Sequence, residues 1–172
     1  MKTTANRITL IRILLIPVYL ILLYCGLRIP ALIVYIVACL SDFADGYIAR
    51  HYNQITDLGK FMDPLADKML VLSAMCFFVE CGRMPGWVAA LVLFREFAVS
   101  GLRLVAVEQD RVIAAAWSGK IKTAVTMVCL CAMTVLELSW IDWLSSALIL
   151  ITTLISGAEY FYRNRDVFQN ID

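Results

Sequence analysis

Long apolar segments recur along the whole chain, separated by short polar stretches. Each apolar segment is about twenty residues long, the length that a helix needs to cross the hydrocarbon core of a bilayer. Six transmembrane helices are predicted, over residues 8–27, 31–50, 64–81, 87–107, 119–138 and 143–161. Residues 1–7 are polar and are predicted to form a short interfacial segment. The pattern therefore predicts an all-α polytopic membrane protein, with residues 1–172 forming one domain.

Composition supports this fold class. Of the 172 residues, 62% are hydrophobic, and the mean hydropathy is +0.80. Soluble domains carry about 45–50% apolar residues. The first apolar segment has no small-residue cleavage site after it, so we expect no removable signal peptide. Nothing in the charge pattern suggests a nucleic-acid partner.

The positions of the basic residues predict the orientation. With six spans both termini lie on the same side of the membrane. Arg28 and Arg83 lie on the opposite side, and the remaining Lys and Arg residues lie at or near the side of the termini. Because Lys and Arg accumulate in cytoplasmic segments, both termini are predicted to be cytoplasmic. The polar loop at residues 51–59 then faces the cytoplasm as well.

Four aspartates stand out beside this loop. Asp42 and Asp45 are three residues apart near the end of the second predicted helix, and Asp63 and Asp67 are four apart near the start of the third. Either spacing places both side chains on one face of a helix. Clustered carboxylates repel each other, and a hard divalent cation bound through oxygen removes that cost. The sequence predicts a metal site formed by two facing acidic pairs.

Asp63 has a second interpretation, because it precedes Pro64. An aspartate followed by proline is typical of a helix N-cap with proline at the first helical position. The capping role and the metal-binding role are compatible.

Two classes of function fit a membrane-embedded acidic cluster. One is phosphoryl-type transfer at the membrane surface, with metal holding a diphosphate and basic residues holding a second anion. The other is a path for cation transport. A transporter needs polar groups towards the outer half of the membrane, yet residues 69–79 and the first dozen residues of the second helix carry no charge. A site open to one side only favours an enzyme.

The acidic segment also resembles a known family signature. The pattern is Asp42-x-x-Asp45-Gly46-x-x-Ala49-Arg50, eight further residues, then Gly59-x-x-x-Asp63-x-x-x-Asp67. It is similar, at every signature position, to the motif of the CDP-alcohol phosphotransferase family. Residues 6–12, 41–68, 95–103 and 119–127 most resemble bacterial members that use sn-glycerol 3-phosphate as acceptor.

The resemblance implies a reaction. Phosphatidyl would pass from CDP-diacylglycerol to sn-glycerol 3-phosphate, giving phosphatidylglycerophosphate and CMP, at the cytoplasmic face of a bacterial inner membrane. Inositol phosphate, serine or phosphatidylglycerol are the acceptors of sibling enzymes and remain alternatives. The resemblance further implies a homodimer embedded in the lipid bilayer.

Roles for individual residues follow from the same resemblance. Mg²⁺ or Mn²⁺ would be held by Asp42, Asp45 and Asp63, with Asp67 as general base and as a possible ligand of a second ion. The residues implied to contact CDP-diacylglycerol are Asp45, Gly46, Ala49, Arg50 and Gly59.

The phosphate of the acceptor requires cations. Arg95, Arg103 and Lys120 are the predicted ligands, with Lys122 and Arg163 as alternates. The arginines rank first because a guanidinium binds phosphate through two parallel hydrogen bonds. The alternative is that these bases only reflect the enrichment of positive charge on the cytoplasmic side.

Some further residues have open interpretations. Arg12, within the first helix, either extends to the headgroups or lines the site. His51 is expected to be solvated in the loop. The cysteines are expected to be small packing residues, although a disulfide between Cys25 and Cys81 is possible because both fall near helix ends on the same side.

Overall fold

The computed structural model describes residues 4–51, 57–108 and 116–165, with side chains described for 9–41, 65–66, 68–106 and 116–165. Within these ranges the chain forms helices and no strands. The six helices are α1 (Thr4–Tyr24), α2 (Arg28–His51), α3 (Asp57–Glu80), α4 (Gly86–Glu108), α5 (Trp117–Val135) and α6 (Ser139–Arg163). The predicted all-α class and the order of the helices are confirmed.

The helix starts differ from the prediction at two places. α1 begins at Thr4, so residues 4–7, which were predicted to belong to an interfacial segment, form its first turn. α2 begins at Arg28, which places Pro30 in its first turn. Proline is tolerated there because the first amide groups of a helix have no intrahelical acceptor.

The N-cap interpretation of Asp63 is wrong. α3 begins six residues earlier, at Asp57, so both Asp63 and Pro64 lie inside the helix. An interior proline removes one backbone hydrogen bond and crowds the preceding turn, at a cost of about 3 kcal/mol, which a long, well-packed helix can offset. α1 accommodates Pro17 in the same way. Asp63 and Asp67 therefore lie on one continuous helix.

Two helices end at a glycine with a left-handed backbone. Gly26 has φ of +72° and Gly82 has φ of +69°. In each case the glycine amide bonds to the carbonyl three residues back, and the next amide bonds to the carbonyl five residues back. This is the Schellman arrangement, in which a residue without a Cβ adopts positive φ at little cost. The α1–α2 and α3–α4 connections are therefore short and sharply defined.

The connections 25–27, 81–85 and 136–138 lie together at one end of the bundle, called here the three-turn end. Arg83 joins two of them, with Nε 2.9 Å from Asp142 Oδ2, Nη2 2.7 Å from Asp142 Oδ1, and Nη2 2.7 Å from the carbonyl oxygen of Leu136. Arg28 pairs with Glu137, and the Tyr24 hydroxyl donates to Glu80. The acidic motif lies at the opposite end of α2 and α3, called here the motif end.

The core lies between all six helices. α1 packs on α2 and α3, α5 packs on α6 and α2, and α4 packs on α6 and α3. Tyr19 and Tyr35 are fully buried with ring centroids 5.2 Å apart, and the Tyr19 hydroxyl lies 3.3 Å from Thr134 Oγ1. A smaller cluster of Val99, Leu102, Ala106 and Tyr160 joins α4 to α6 near the motif end.

The protein exposes many large apolar side chains, including Phe94 (71% exposed) and Leu104 (69%). Its interior is mainly hydrophobic but also holds polar and charged residues, namely Thr9, Arg12, Lys122, Thr126, Thr134, Asp142, Ser145, Ser146, Thr153 and Ser156. Extensive exposed apolar surface is characteristic of a partner or membrane interface.

By length and hydropathy alone, two of the described helices could cross a membrane, namely α5 and α6. Shorter apolar stretches occupy Thr9–Tyr24 and Arg28–Ser41. The six-span topology and the cytoplasmic location of the termini stay predictions.

All six cysteines carry free thiols, so the possible Cys25–Cys81 disulfide is absent from the structure. Both residues are exposed, as is Cys76. Cys129 is buried and Cys39 and Cys131 are partly buried. The packing role therefore fits only these last three.

Candidate active site

The aspartates predicted to bind metal lie on two neighbouring helices that pack against each other. Asp42 and Asp45 belong to α2, and Asp63 and Asp67 belong to α3, with residues 52–56 joining the helices at the motif end. On a continuous helix the observed spacings place each pair on one face. The side chains themselves, with those of Gly46, Ala49, Arg50, His51 and Gly59, lie outside the described residues.

The chemistry of this donor set suits a divalent cation. Carboxylate oxygens are the ligands that Mg²⁺ and Mn²⁺ prefer. Among the described side chains, no group of three His, Cys, Asp or Glu residues is close enough together to hold a metal ion.

A second polar group lies where α3, α4 and α5 meet. It consists of Lys68, Arg95, Glu96, Ser100 and Lys122, and is called here the basic cluster. Glu96 Oε1 lies 2.7 Å from Lys122 Nζ and 3.0 Å from Arg95 Nη1. Lys68, the residue after Asp67, donates to the Ser100 hydroxyl, which in turn donates to the Glu96 carbonyl oxygen at 2.7 Å. The basic cluster thus adjoins the acidic motif along α3.

The Arg95 side chain runs between two glycines of other helices. A Cβ at Gly157 on α6 would lie 3.3 Å from Arg95 Cγ, and a Cβ at Gly119 on α5 would lie 3.7 Å from Arg95 Nη2. Arg95 Nε is buried and has no hydrogen-bond partner among the described residues. The two glycines give the guanidinium space to reach the interior, and one of its donors stays available.

A small cavity of about 30 Å³ opens beside the basic cluster. Its polar lining comes from Lys68, Glu96, Lys122, Thr123 and Thr126. A space of this size accommodates one or two water molecules. Water can therefore reach Lys122 even though its side chain is only 6% exposed.

The predicted phosphate ligands occupy three different environments. Arg95 is inside the basic cluster. Arg103 is exposed, with its guanidinium 5.6 Å from the Tyr160 ring centroid and its Nε 3.1 Å from the Tyr160 hydroxyl. Lys120 is exposed, with its ammonium 4.9 Å from the Trp117 ring centroid.

The two alternates also differ from each other. Lys122 belongs to the basic cluster and bonds Glu96. Arg163 forms an exposed pair with Glu159 at 2.6 Å, one turn away on α6. The structure thus brings Arg95 and Lys122 together, and it leaves Lys120 and Arg163 at the surface.

Arg12 does not extend to the headgroups. It is 1% exposed, and its Nε lies 3.0 Å from Ser41 Oγ, at the residue immediately before Asp42. The interpretation of Arg12 as an interfacial anchor is therefore wrong, and it lies on the interior face of α1.

Sequence reasoning overlooked Glu96, Ser100 and Lys68. Glu96 carried a usable signal, because it is an isolated acid in an apolar helix beside a base, and such residues need partners. Ser100 lies four residues after Glu96, so that both fall on one helix face. Lys68 directly follows Asp67, the last residue of the acidic motif, and this position was the available signal for Lys68.

Comparison with known proteins identifies the family. The profile of the CDP-alcohol phosphatidyltransferase family matches residues 2–157. The chain is 37% identical to the CDP-diacylglycerol–glycerol-3-phosphate 3-phosphatidyltransferase of Bacillus subtilis, over 92% of this chain and 93% of the relative. It is 32% identical to the protein of the same name from Escherichia coli K12, over 87% of this chain and 86% of the relative. The resemblance drawn from the aspartate motif is confirmed, and the chain belongs to the CDP-alcohol phosphatidyltransferase family.

Proposed function

We propose that this protein transfers the phosphatidyl group of CDP-diacylglycerol to sn-glycerol 3-phosphate, releasing CMP. The relatives named for this reaction align over most of their length, which supports the whole activity and not a fragment of it. The observation that carries the proposal is the pairing of a complete acidic signature on α2 and α3 with the adjoining basic cluster, whose side chains are half-buried or buried.

The acidic motif is the binding site for CDP-diacylglycerol, the donor, in this proposal. Asp42, Asp45 and Asp63 would hold Mg²⁺ or Mn²⁺, and a bound divalent cation supplies neutralisation of the charge on the leaving CMP. Gly46, Ala49, Arg50 and Gly59 would contact the nucleotide, as the family resemblance implies. Asp67 would accept the proton of the acceptor hydroxyl, which attacks the phosphorus carrying the diacylglycerol.

The basic cluster is the binding site for sn-glycerol 3-phosphate, the acceptor, in this proposal. Lys122 is buried and Arg95 is half-buried, and both bond the same oxygen of Glu96. Lys68, which bonds Ser100 in the same cluster, is the residue after the proposed base. Buried cations interact more strongly with an anion than exposed ones, because water screens them less. We therefore favour Lys122 over Lys120 as the lysine that binds the acceptor phosphate. Arg103 lies nearer the end of α4, where it would meet the acceptor on entry.

The exposed apolar surface supports membrane embedding. Exposed large apolar side chains occur on the helices throughout the described residues, and several polar and charged side chains are buried among the helices. We propose that all six helices span a bacterial inner membrane and that the motif end faces the cytoplasm, where sn-glycerol 3-phosphate is available. From the family resemblance we also expect a homodimer.

The decisive experiment is an assay of purified protein with CDP-diacylglycerol and Mg²⁺. Release of CMP would be followed with sn-glycerol 3-phosphate, inositol phosphate, serine or phosphatidylglycerol as acceptor. We expect turnover with sn-glycerol 3-phosphate and formation of phosphatidylglycerophosphate. Turnover only with another acceptor would reassign the substrate while leaving the family in place.

A further inference from the structure

Glu96 is the one carboxylate in the basic cluster, and the reaction outlined above does not use it. A single oxygen, Oε1, accepts hydrogen bonds from Lys122 Nζ at 2.7 Å and from Arg95 Nη1 at 3.0 Å. The first bond joins α4 to α5, and the second joins neighbouring residues of α4. Glu96 is itself 16% exposed, so both bonds are largely shielded from water.

We propose that Glu96 is a positioning residue for the acceptor, holding Lys122 and Arg95 as a pair that binds a phosphate monoester. This proposal rests on the proposed function. Two cations this close together repel, and one carboxylate between them offsets the repulsion and limits the directions in which their free donors point. Charge-assisted hydrogen bonds are the strong ones, so this arrangement is formed before the ligand arrives.

The charge of the cluster matches a phosphate monoester. Lys68, Arg95 and Lys122 contribute three positive charges and Glu96 contributes one negative charge, which leaves two positive charges. A phosphate monoester carries about −1.5 to −2 at neutral pH. A neutral alcohol such as glycerol would leave this excess unbalanced. Glu96 therefore adjusts the site to an acceptor that brings its own phosphate.

Unsatisfied donors show where the ligand can be received. Arg95 Nε is buried without a partner among the side chains described, and Arg95 Nη2 lies 3.7 Å from the position that a Cβ at Gly119 would take. Lys122 borders the small cavity lined by Thr123 and Thr126. Glu96 accepts one hydrogen bond from Arg95 and one from Lys122, and the other donors of these two side chains are left for a ligand.

The test compares Glu96→Gln and Glu96→Asp with the control Glu159→Gln, which disrupts the exposed pair with Arg163. KM and kcat would be measured for both substrates, together with Mg²⁺-dependent CDP binding and inorganic phosphate binding by calorimetry. Glu96→Gln should raise KM for sn-glycerol 3-phosphate by about tenfold, the effect of losing about 1.4 kcal/mol of positioning. Its KM for CDP-diacylglycerol and its CDP affinity should stay at the wild-type values.

Glu96→Asp should recover part of the acceptor affinity, and Glu159→Gln should change neither KM. A parallel rise in both KM values with a lowered Tm in Glu96→Gln would indicate a purely structural ion pair and overturn the proposal. An unchanged or lower KM for the acceptor would overturn it too.

The two proposals can fail separately. If wild-type protein releases no CMP with any acceptor, the proposed function fails. Phosphate binding then remains as the readout for Glu96, and binding that is equal in wild type and Glu96→Gln would reject its positioning role.

Discussion

Arg12 Nε donates a hydrogen bond to Ser41 Oγ at 3.0 Å, which ties α1 to the residue preceding Asp42. Ser41 in turn donates to the Ala38 carbonyl oxygen at 2.7 Å. A guanidinium that is 1% exposed must be compensated by hydrogen bonds and charge, because burying an uncompensated cation is very costly. Arg12 therefore places α1 beside the start of the acidic motif, next to the proposed donor site.

Replacing Arg12 should therefore disturb the donor site. We expect Arg12→Met to lower Mg²⁺-dependent affinity for CDP by about tenfold, or about 1.4 kcal/mol, because α1 would no longer hold the residue that precedes Asp42 in place. Isothermal calorimetry of the purified variant would measure this affinity for CDP with and without Mg²⁺. The matched control is Arg28→Met, which disrupts the exposed pair with Glu137 at the three-turn end. Equal affinities in both variants would remove Arg12 from the donor site.

Asp67 is predicted to act as the general base, whereas the other three aspartates of the motif are predicted to bind the metal. Asp67→Asn should keep Mg²⁺-dependent CDP-diacylglycerol binding while kcat falls by about 10²–10⁴, the usual contribution of general base catalysis. Single-turnover CMP release and equilibrium binding would separate the two effects. Near-normal turnover would exclude the base role.

Asp45 is predicted to bind metal and thereby the nucleotide. Asp45→Ala should abolish the Mg²⁺-dependent part of CDP binding, because a cation site with one carboxylate fewer holds the ion and the diphosphate less tightly. Asp57→Ala, an aspartate on α3 outside the signature, serves as control. Calorimetric affinity that is the same in the Asp45 variant and the wild type would contradict the assignment.

Arg103 is predicted to bind the phosphate of the acceptor. Arg103→Ala should raise KM for sn-glycerol 3-phosphate more than KM for CDP-diacylglycerol, since the guanidinium lies at the end of α4 near the motif end. Arg165→Ala provides a close comparison, because Arg165 also lies 5.6 Å from a tyrosine ring, that of Tyr162. A rise of the same size for both substrates would instead indicate that Arg103 stabilises the packing against Tyr160.

The proposed topology can be tested with native cysteines. Cys25 and Cys81 are exposed at the three-turn end, so single-cysteine variants should react with a membrane-impermeant maleimide in right-side-out spheroplasts. His51→Cys in a cysteine-free background should react only after the membrane is permeabilised. The reverse pattern would place the acidic motif outside the cell.

The sequence predicted the number and order of helices because each apolar run is long and sharply bounded. It failed at Asp63, where the Asp-Pro pair is a strong local signal for a helix start, and packing of the longer α3 overrides that signal. It could not decide the side of α1 on which Arg12 lies, since a long side chain can either reach water or fill the interior. It also could not reveal that Glu96 joins Arg95 to Lys122, because that contact depends on how α4 and α5 pack.

The charged side chains at the three-turn end affect the direction from which an anionic substrate approaches the protein. Both arginines there are already committed to carboxylates, Arg83 to Asp142 and Arg28 to Glu137, and Glu80 adds a further acid. Within the described residues, two arginines and three carboxylates meet at the three-turn end, and this excess of one negative charge repels a phosphorylated metabolite weakly. We therefore expect an anionic substrate to approach the protein from the motif end.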